Sequence, residues 1–566
     1  MDVSTLESID DIYHAVHTAA SSGLGVIPRI SHIGSTVYGT TMDPIITDFE
    51  FNETLQDRIV DIADTLRNTV PVAYSLGRDN MLTPFEIDVS FSQTDIESFR
   101  LYLESKYETV NALNQAWGTT LVSFNDAQPM PLSEAESSGY LPIWLDTRLH
   151  MEEVFTQVHY EATDIFEVNT PGVRVGIEGF DNAWSPYRGY NLFELTGFFS
   201  MAVAGQSAGP GLPGDVSIAA SLASMTRTGS LTGLSTGGEY YRRGNEALLR
   251  AVPWQSLFGD INGVWWLSAW GGTDGALTPQ LTLAPAFSVV ADEANEIMGG
   301  IDLLLRGNVQ HFDKIGILYS PVSKMASVAT ISTENRIKSA ASSGRDNTAG
   351  NSVSGLTPEP DAQTLAGSAR GFYLACRDAG YSPIFIADDQ LTDDWLAENK
   401  FNILLLPYVQ AISDETAQVI ESFVSSGGTL IADMRTGIMN EHLRMRDSGA
   451  LDDVFGVSLN MNRFAVRSAG PFTPRELDGG LPPDCVLNTC FADPTVKAQE
   501  GVAVLADVQG APAVIINRYG DGITVYLNMG MDMYETLRNT NDESSFRNIV
   551  SWCLKSGGFG DPYCCP

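Results

Sequence analysis

Cysteine is scarce in this chain, with six residues in 566, too few for a fold resting on a disulfide framework. Cys485 and Cys490 are near enough in sequence to pair, as are Cys553 and the Cys564/Cys565 doublet, while Cys376 stands alone in a helical pattern. None of these spacings is that of a zinc site, and the seven histidines show no HExxH or other metal-ligand spacing. There is no phosphate-binding loop and no GxGxxG between a strand and a helix. No apolar run approaches the roughly 20 residues that a membrane span needs. The N-terminus has no basic stretch followed by an apolar one, so no signal peptide is visible and the compartment stays open. Basic charge is scarce too: 33 Lys+Arg, only seven of them lysine, stand against 70 Asp+Glu, for a net charge of −37. Such a surface repels nucleic acid and anionic membranes and argues against both as partners. Adaptation to salt and plain acidic solubility both account for it.

What is present is an ordinary globular composition, 43% hydrophobic, at a length that implies two to four domains. From residue 1 to about 305, helical and strand-like segments alternate as in a β/α barrel. Strands are expected at 23–30, 70–76, 173–179, 198–204, 234–239 and 261–270, and helices at 6–20, 51–68 and 144–166. That is six strands where a closed barrel has eight. From about 306 the pattern becomes a doubly wound, flavodoxin-like one. Strands are expected at 314–319, 383–386, 402–407 and 429–432, with helices at 361–379 and 414–426, the latter stopped by Gly427 and Gly428. A Ser/Gly/Asn-rich loop is read over 327–355, a β-hairpin over 513–527 turning at Gly520–Gly522, and a last helix over 544–555.

The segment 99–119, FRLYLESKYETVNALNQAWGT, carries the most information. Its apolar spacing (Phe99, Leu103, Tyr107, Val110, Leu113, Trp117) is that of an amphipathic helix packed on a core. Its order of residue types, FR-x-x-L, then KY, then ALN-x-AWGT, resembles the segment that follows the acid/base strand in glycoside hydrolase family 42, the β-galactosidase-like enzymes. The segment PIWLDTRLHM (142–151) resembles a helix start of the same relatives and is assigned a structural role. The resemblance implies an N-terminally truncated (β/α)8-type barrel over 1–305, its first two strands missing. It also implies a flavodoxin-like, class I glutamine amidotransferase-like trimerisation domain over 306–566. No cysteine follows the strand at 403–406, so amidotransferase activity is not expected there.

Glycoside hydrolysis needs two carboxylates at the C-terminal ends of different barrel strands, about 5–5.5 Å apart in a retaining enzyme. By resemblance, AYSLGRDN (73–80) places Asp79 on the family's acid/base glutamate and Arg78 on the residue before it. Aspartate is one methylene short, and Arg78, if close, would lower the carboxyl pKa, against the needs of a general acid. Glu86 and Asp88 are possible substitutes. LSTGGEYY (234–241) places Glu239 as nucleophile, with Glu178 in VRVGIEGF as its rival. Arg78, Glu178, Trp184, Tyr187, Trp266 and Trp270 would bind substrate, aromatic rings stacking on sugar faces. Trp265 lies on the opposite face of the last strand from Trp266 and Trp270, and one of these faces should look into the barrel. The resemblance thus implies a retaining β-glycosidase with a carbohydrate substrate and a homo-oligomeric, trimeric state. It calls for no cofactor and no metal: the family often carries a cysteine zinc cluster in the barrel, and this chain has no cysteine before 376. The alternative is a weak or inactive carbohydrate-binding or assembly protein on the same fold.

Overall fold

A computed structural model describes residues 8–34, 42–83, 88–180, 184–205, 216–237, 246–267, 275–306, 312–331, 364–463, 466–477, 480–538, 540 and 542–556. The first sheet holds five parallel strands in chain order: β1 (Tyr74–Arg78), β2 (Val175–Glu178), β3 (Met201–Ala204), β4 (Leu231–Gly237) and β5 (Gly263–Leu267). This all-parallel succession, with helices between its strands, fits an α/β barrel. The strand expected at 23–30 is reduced to one isolated bridge, Arg29 to Ser75. Residues 26–30 do run parallel to β1, Val72 donating to the Val26 carbonyl (2.9 Å), Ser75 to Pro28 and Ile30 to Ser75 (both 3.0 Å). Pro28 has no N–H to contribute, which interrupts a ladder at that point.

Residue parity gives this sheet two faces. On one, Tyr74, Val175, Ile177, Ala202 and Leu234 join a buried cluster that includes side chains of α1 (Ile9–Ser21), α2 (Phe49–Leu66) and a long helix, Leu141–Asn169. Tyr74 stacks there on Phe166, centroids 4.4 Å apart. On the other, Ala73, Met201 and Val203 form a small cluster with Ile27, Leu231 and Trp265. That face is the barrel interior.

The segment 99–119 is two helices rather than one. α3 (Gln93–Tyr107) is started by a Ser92/Asp95 capping box and ends at Glu108, which takes φ 58°. α4 (Val110–Trp117) is capped by the Thr109 hydroxyl and closed by left-handed Gly118. The break preserves the apolar stripe: Phe99, Leu103, Leu113 and Trp117 are buried in one cluster.

The second sheet contains nine strands. Five are parallel, in the order β16 (Gly522–Leu527), β9 (Thr429–Ala432), β8 (Ile403–Leu406), β6 (Ile315–Tyr319), β7 (Ile384–Ala387). β15 (Ala511–Tyr519) forms the hairpin with β16, and β14 (Ala503–Val508), β11 (Ser468–Pro474) and β12 (Leu487–Ala492) extend the sheet antiparallel. The short β10 (Val457–Ser458) and β13 (Lys497–Ala498) pair separately. Part of the loop read over 327–355 is helix: Pro321–Ala329 is capped by Ser320 with proline in its first turn, and Ser327 is buried. Residues 332–363 lie outside the described residues. Cys485 and Cys490 are unpaired buried thiols, as are Cys376 and Cys553. No helix among the described residues is long and apolar enough to cross a membrane.

Candidate active site

The C-terminal edge of the first sheet is where a barrel presents its chemistry. Asp79 follows β1 directly, and Glu239 follows the end of β4 by two residues; Glu239 and Trp270 lie outside the described residues. The backbone at Asp79 is left-handed, φ 57°, a conformation uncommon outside glycine. Its N–H donates to the Glu178 carbonyl at 2.9 Å, which ties the ends of β1 and β2 together. Its carboxyl group lies over Gly179: a Cβ there would come within 2.1 Å of Asp79 Oδ1. Arg78 does come close, its Nε standing 3.4 Å from Asp79 Oδ2. The opposition between cation and proton donor raised by the sequence is therefore present in the geometry.

Glu178 is on the interior face and buried. One of its oxygens accepts from Arg29 Nε (3.2 Å) and Nη2 (3.1 Å) and from the Ser75 hydroxyl (3.1 Å). Arg29 and Ser75 were not singled out from the sequence. Ser75 shares parity with Ala73 and Gly77, and that alternation was the available signal. A carboxylate held by a guanidinium and a hydroxyl is a preorganised hydrogen-bond acceptor, suited to orienting a ligand hydroxyl.

The aromatic candidates are redistributed. Trp184 is buried, edge-on to Tyr319 (4.8 Å) and tilted against Phe385 (5.4 Å), both of the second sheet. Tyr187 is buried in a cluster with Trp144, Leu145 and Met325. Their place in a loop after a strand suggests rings open to a sugar, and β6, β7 and the helix Pro321–Ala329 cover them instead. Trp266 packs edge-on against Phe287 beside Leu249 and Val290, on the helix side. Trp265 occupies the interior face, its ring lying across Gly233 and Gly263, where added Cβ atoms would come within 2.1 and 2.3 Å of it. Residue parity separates the two faces, and the paired glycines Gly233 and Gly263 are the signal that tells them apart. Of the substitutes for Asp79, Asp88 is occupied: Oδ1 accepts from Leu132 N–H (2.8 Å) and Trp144 Nε1 (3.0 Å). Glu86 lies outside the described residues.

The family-like segment proves to be a clamp beside the site rather than part of it. Asp146, in the PIWLDTRLHM helix, accepts from Lys106 Nζ (2.7 Å), Tyr107 Oη (2.7 Å) and Trp117 Nε1 (2.6 Å). Asn114 closes the following turn, accepting from Leu121 N–H and Thr119 Oγ1 (both 2.7 Å) and donating to the Leu121 carbonyl (2.9 Å). Arg100 reaches the Ala127 carbonyl at 3.1 Å. The polar residues of KY, N and W, with Arg100, thus have partners within the fold. Among the described residues no group of three or more metal-ligating side chains comes together.

Fold and site edge together define an α/β-barrel protein carrying a second α/β sheet. Residues 361–544 match the model of the beta-galactosidase trimerisation domain. The whole chain shares its fold with family 42 β-galactosidases. It superposes on the β-galactosidase of Rahnella sp. R3 with a TM-score of 0.67, covering 97% of this chain and 81% of that one at 16% identity. For the GH42 β-galactosidase Gan42B of G. stearothermophilus, in a catalytic-mutant form, the TM-score is 0.64, with 94% and 80% coverage at 14% identity. β-Galactosidase BbgII of Bifidobacterium bifidum is 30% identical over 148 residues. That match takes in 24% of this chain and only 20% of the relative's length. The family 42 resemblance read from segment 99–119 is borne out at the level of fold and trimerisation domain.

Proposed function

We propose that this protein is a retaining glycoside hydrolase acting on β-galactosides or related oligosaccharides by double displacement. Glu239 attacks the anomeric carbon while Asp79 protonates the leaving oxygen; Asp79 then deprotonates the water that releases the sugar. The observation that supports this reading is that β1 and β4, the strands that Asp79 and Glu239 follow in sequence, belong to one parallel sheet and so end at the same edge. Glu178, held by Arg29 and Ser75, is assigned to a substrate hydroxyl, with Arg78 beside the leaving group. Trp265, on the interior face, takes the sugar-stacking place read for Trp266 and Trp270, and Trp184 and Tyr187 are assigned to packing. The barrel is assigned to 1–305 and a flavodoxin-like unit to 306–566; the parallel strand order β7-β6-β8-β9-β16 supports the latter. The match of 361–544 supports a homotrimer.

Hydrolysis of aryl β-galactosides by the chain and by Glu239→Gln tests the assignment. A loss of 100-fold or more is expected for the variant, following what removal of an activated nucleophile costs; a variant as active as the parent removes Glu239 as nucleophile. A second reading, sugar binding without efficient turnover, is favoured by the Arg78–Asp79 contact and the shorter aspartate side chain. Galactoside binding by calorimetry with no turnover of any aryl galactoside would select it.

A further inference from the structure

The loop after β2 ends at Tyr190, a buried residue that faces two ways. Its hydroxyl donates to the Asn80 carbonyl at 2.5 Å. Its own carbonyl accepts from Tyr319 Oη (3.1 Å) and from Lys324 Nζ. Tyr319 ends β6 and Lys324 lies on the helix Pro321–Ala329, so both donors come from the second domain. They are themselves fixed. Tyr319 Oη also accepts the Leu192 N–H (3.1 Å), and Lys324, fully buried, pairs with buried Glu152 at 2.8 Å. The Tyr190 ring is wedged against Phe155 and Phe180.

On the receiving side, Asn80 immediately follows Asp79. Its side chain is held as well: Oδ1 accepts from Ile33 N–H (3.2 Å), and Nδ2 donates to His159 Nε2 (3.0 Å). Two residues on, Leu82 N–H donates to the Arg188 carbonyl of the same loop (2.9 Å). A non-glycine residue at φ 57° persists only where its surroundings over-determine it. Here the surroundings are this loop, and the loop is seated on the second domain.

We propose that Tyr190 is a positioning residue for Asp79, transmitting to it the seat that Tyr319 and Lys324 provide, so that the second domain sets the geometry of the barrel's acid/base carboxylate. The inference rests on the assignment of Asp79 above. It gives the second domain a part in catalysis within one subunit, separate from assembly.

Tyr190→Phe keeps the ring and removes the donor, and Tyr319→Phe does the same at the far end. The first measurement, amide hydrogen exchange of the peptide spanning 78–83, does not need activity. Both variants are expected to exchange about tenfold faster there, the effect of losing one buried hydrogen bond; unchanged exchange in Tyr190→Phe overturns the coupling. The second is kcat/KM, which reports the first displacement alone, on two β-galactosides. An alkyl leaving group needs protonation and a dinitrophenyl one does not. Tyr190→Phe should lose roughly 10–100-fold on the alkyl galactoside, as an acid displaced by up to 1 Å would, and less than about twofold on the dinitrophenyl one. Equal losses on both refute a positioning role. If the parent hydrolyses neither, the assignment of Asp79 falls, and the exchange measurement alone decides whether the coupling exists.

Discussion

Replacing Asp146 with alanine tests the claim that the family-like segment is a clamp. Its carboxylate side chain is 1% exposed and accepts three hydrogen bonds. Removing it strands three donors unequally. The Lys106 side chain is 31% exposed and can turn to water at small cost. Trp117 is 2% exposed and its indole N–H cannot; a buried donor left unpaired costs about 1–3 kcal/mol. Tyr107 is intermediate. Loss of one partner of a buried ion pair costs about 3–5 kcal/mol when the other stays buried. With Lys106 free to escape, the lower part of that range, ~3 kcal/mol, is expected. Asp146→Asn keeps an acceptor for Trp117 and should cost about 1–2 kcal/mol. A chain of 566 residues built on two large sheets is not expected to unfold in one step, so the measurement should be local: amide exchange over 93–131, with Glu104→Ala on the exposed side of α3 as control. An Asp146→Ala variant whose exchange there matches the control would refute the clamp.

Three further outcomes follow from particular contacts. Burial holds His159 well below its ordinary value, at about 4. Between pH 6.5 and 4 the unfolded chain therefore binds the extra proton, so His159 makes stability fall as pH drops through that window, by at most about 3 kcal/mol; denaturant midpoints of His159→Gln should be flatter there, and an unchanged slope would exclude it. Gly179→Ala meets both φ 79° and the Asp79 carboxylate, so galactoside turnover should fall by about 100-fold, and a fully active variant would remove Asp79 from its place over Gly179. The net charge of −37 predicts a melting temperature that rises from low to molar salt as self-repulsion is screened; unchanged melting and solubility would remove salt adaptation.

Elements whose signals are local were legible in the sequence. The strands at 314–319, 402–407 and 429–432, the hairpin at 513–527 and the helix stop at Gly427 fall within a residue or two of the structure. The helix Pro321–Ala329 was missed although Ser320 and Pro321 spell its start; the composition of the following loop masked it. The break at Glu108 was written in Thr109, a capping residue inside an otherwise continuous apolar stripe. Trp184 and Tyr187 belong to a different class of miss. Each lies in a loop after a strand, where exposure is the natural expectation. What buries Trp184 is β6 and β7, more than 100 residues away, and Tyr187 is buried by Met325 of the helix Pro321–Ala329 together with the nearer Trp144 and Leu145.

The same distance explains why fold and activity were unequally readable. A segment such as 99–119 satisfies its polar groups within about 50 residues, at Asp146 and Ala127, so its residue order alone identifies the surrounding fold. The backbone of Asp79 is constrained otherwise: by the Glu178 carbonyl, by Gly179, and through Asn80 by a tyrosine whose own partners lie in β6 and the helix after it. No spacing rule within YSLGRDN encodes those partners. In its proposed role an Asp in place of a longer acid serves only where its backbone brings the carboxylate to the leaving oxygen, and left-handed Asp79, tied to the Glu178 carbonyl and lying over Gly179, has its carboxylate's position fixed by that clamp. Restoring the methylene with Asp79→Glu should therefore not improve turnover, because the clamp already sets the reach. An Asp79→Glu variant several-fold faster on alkyl galactosides would show that it does not.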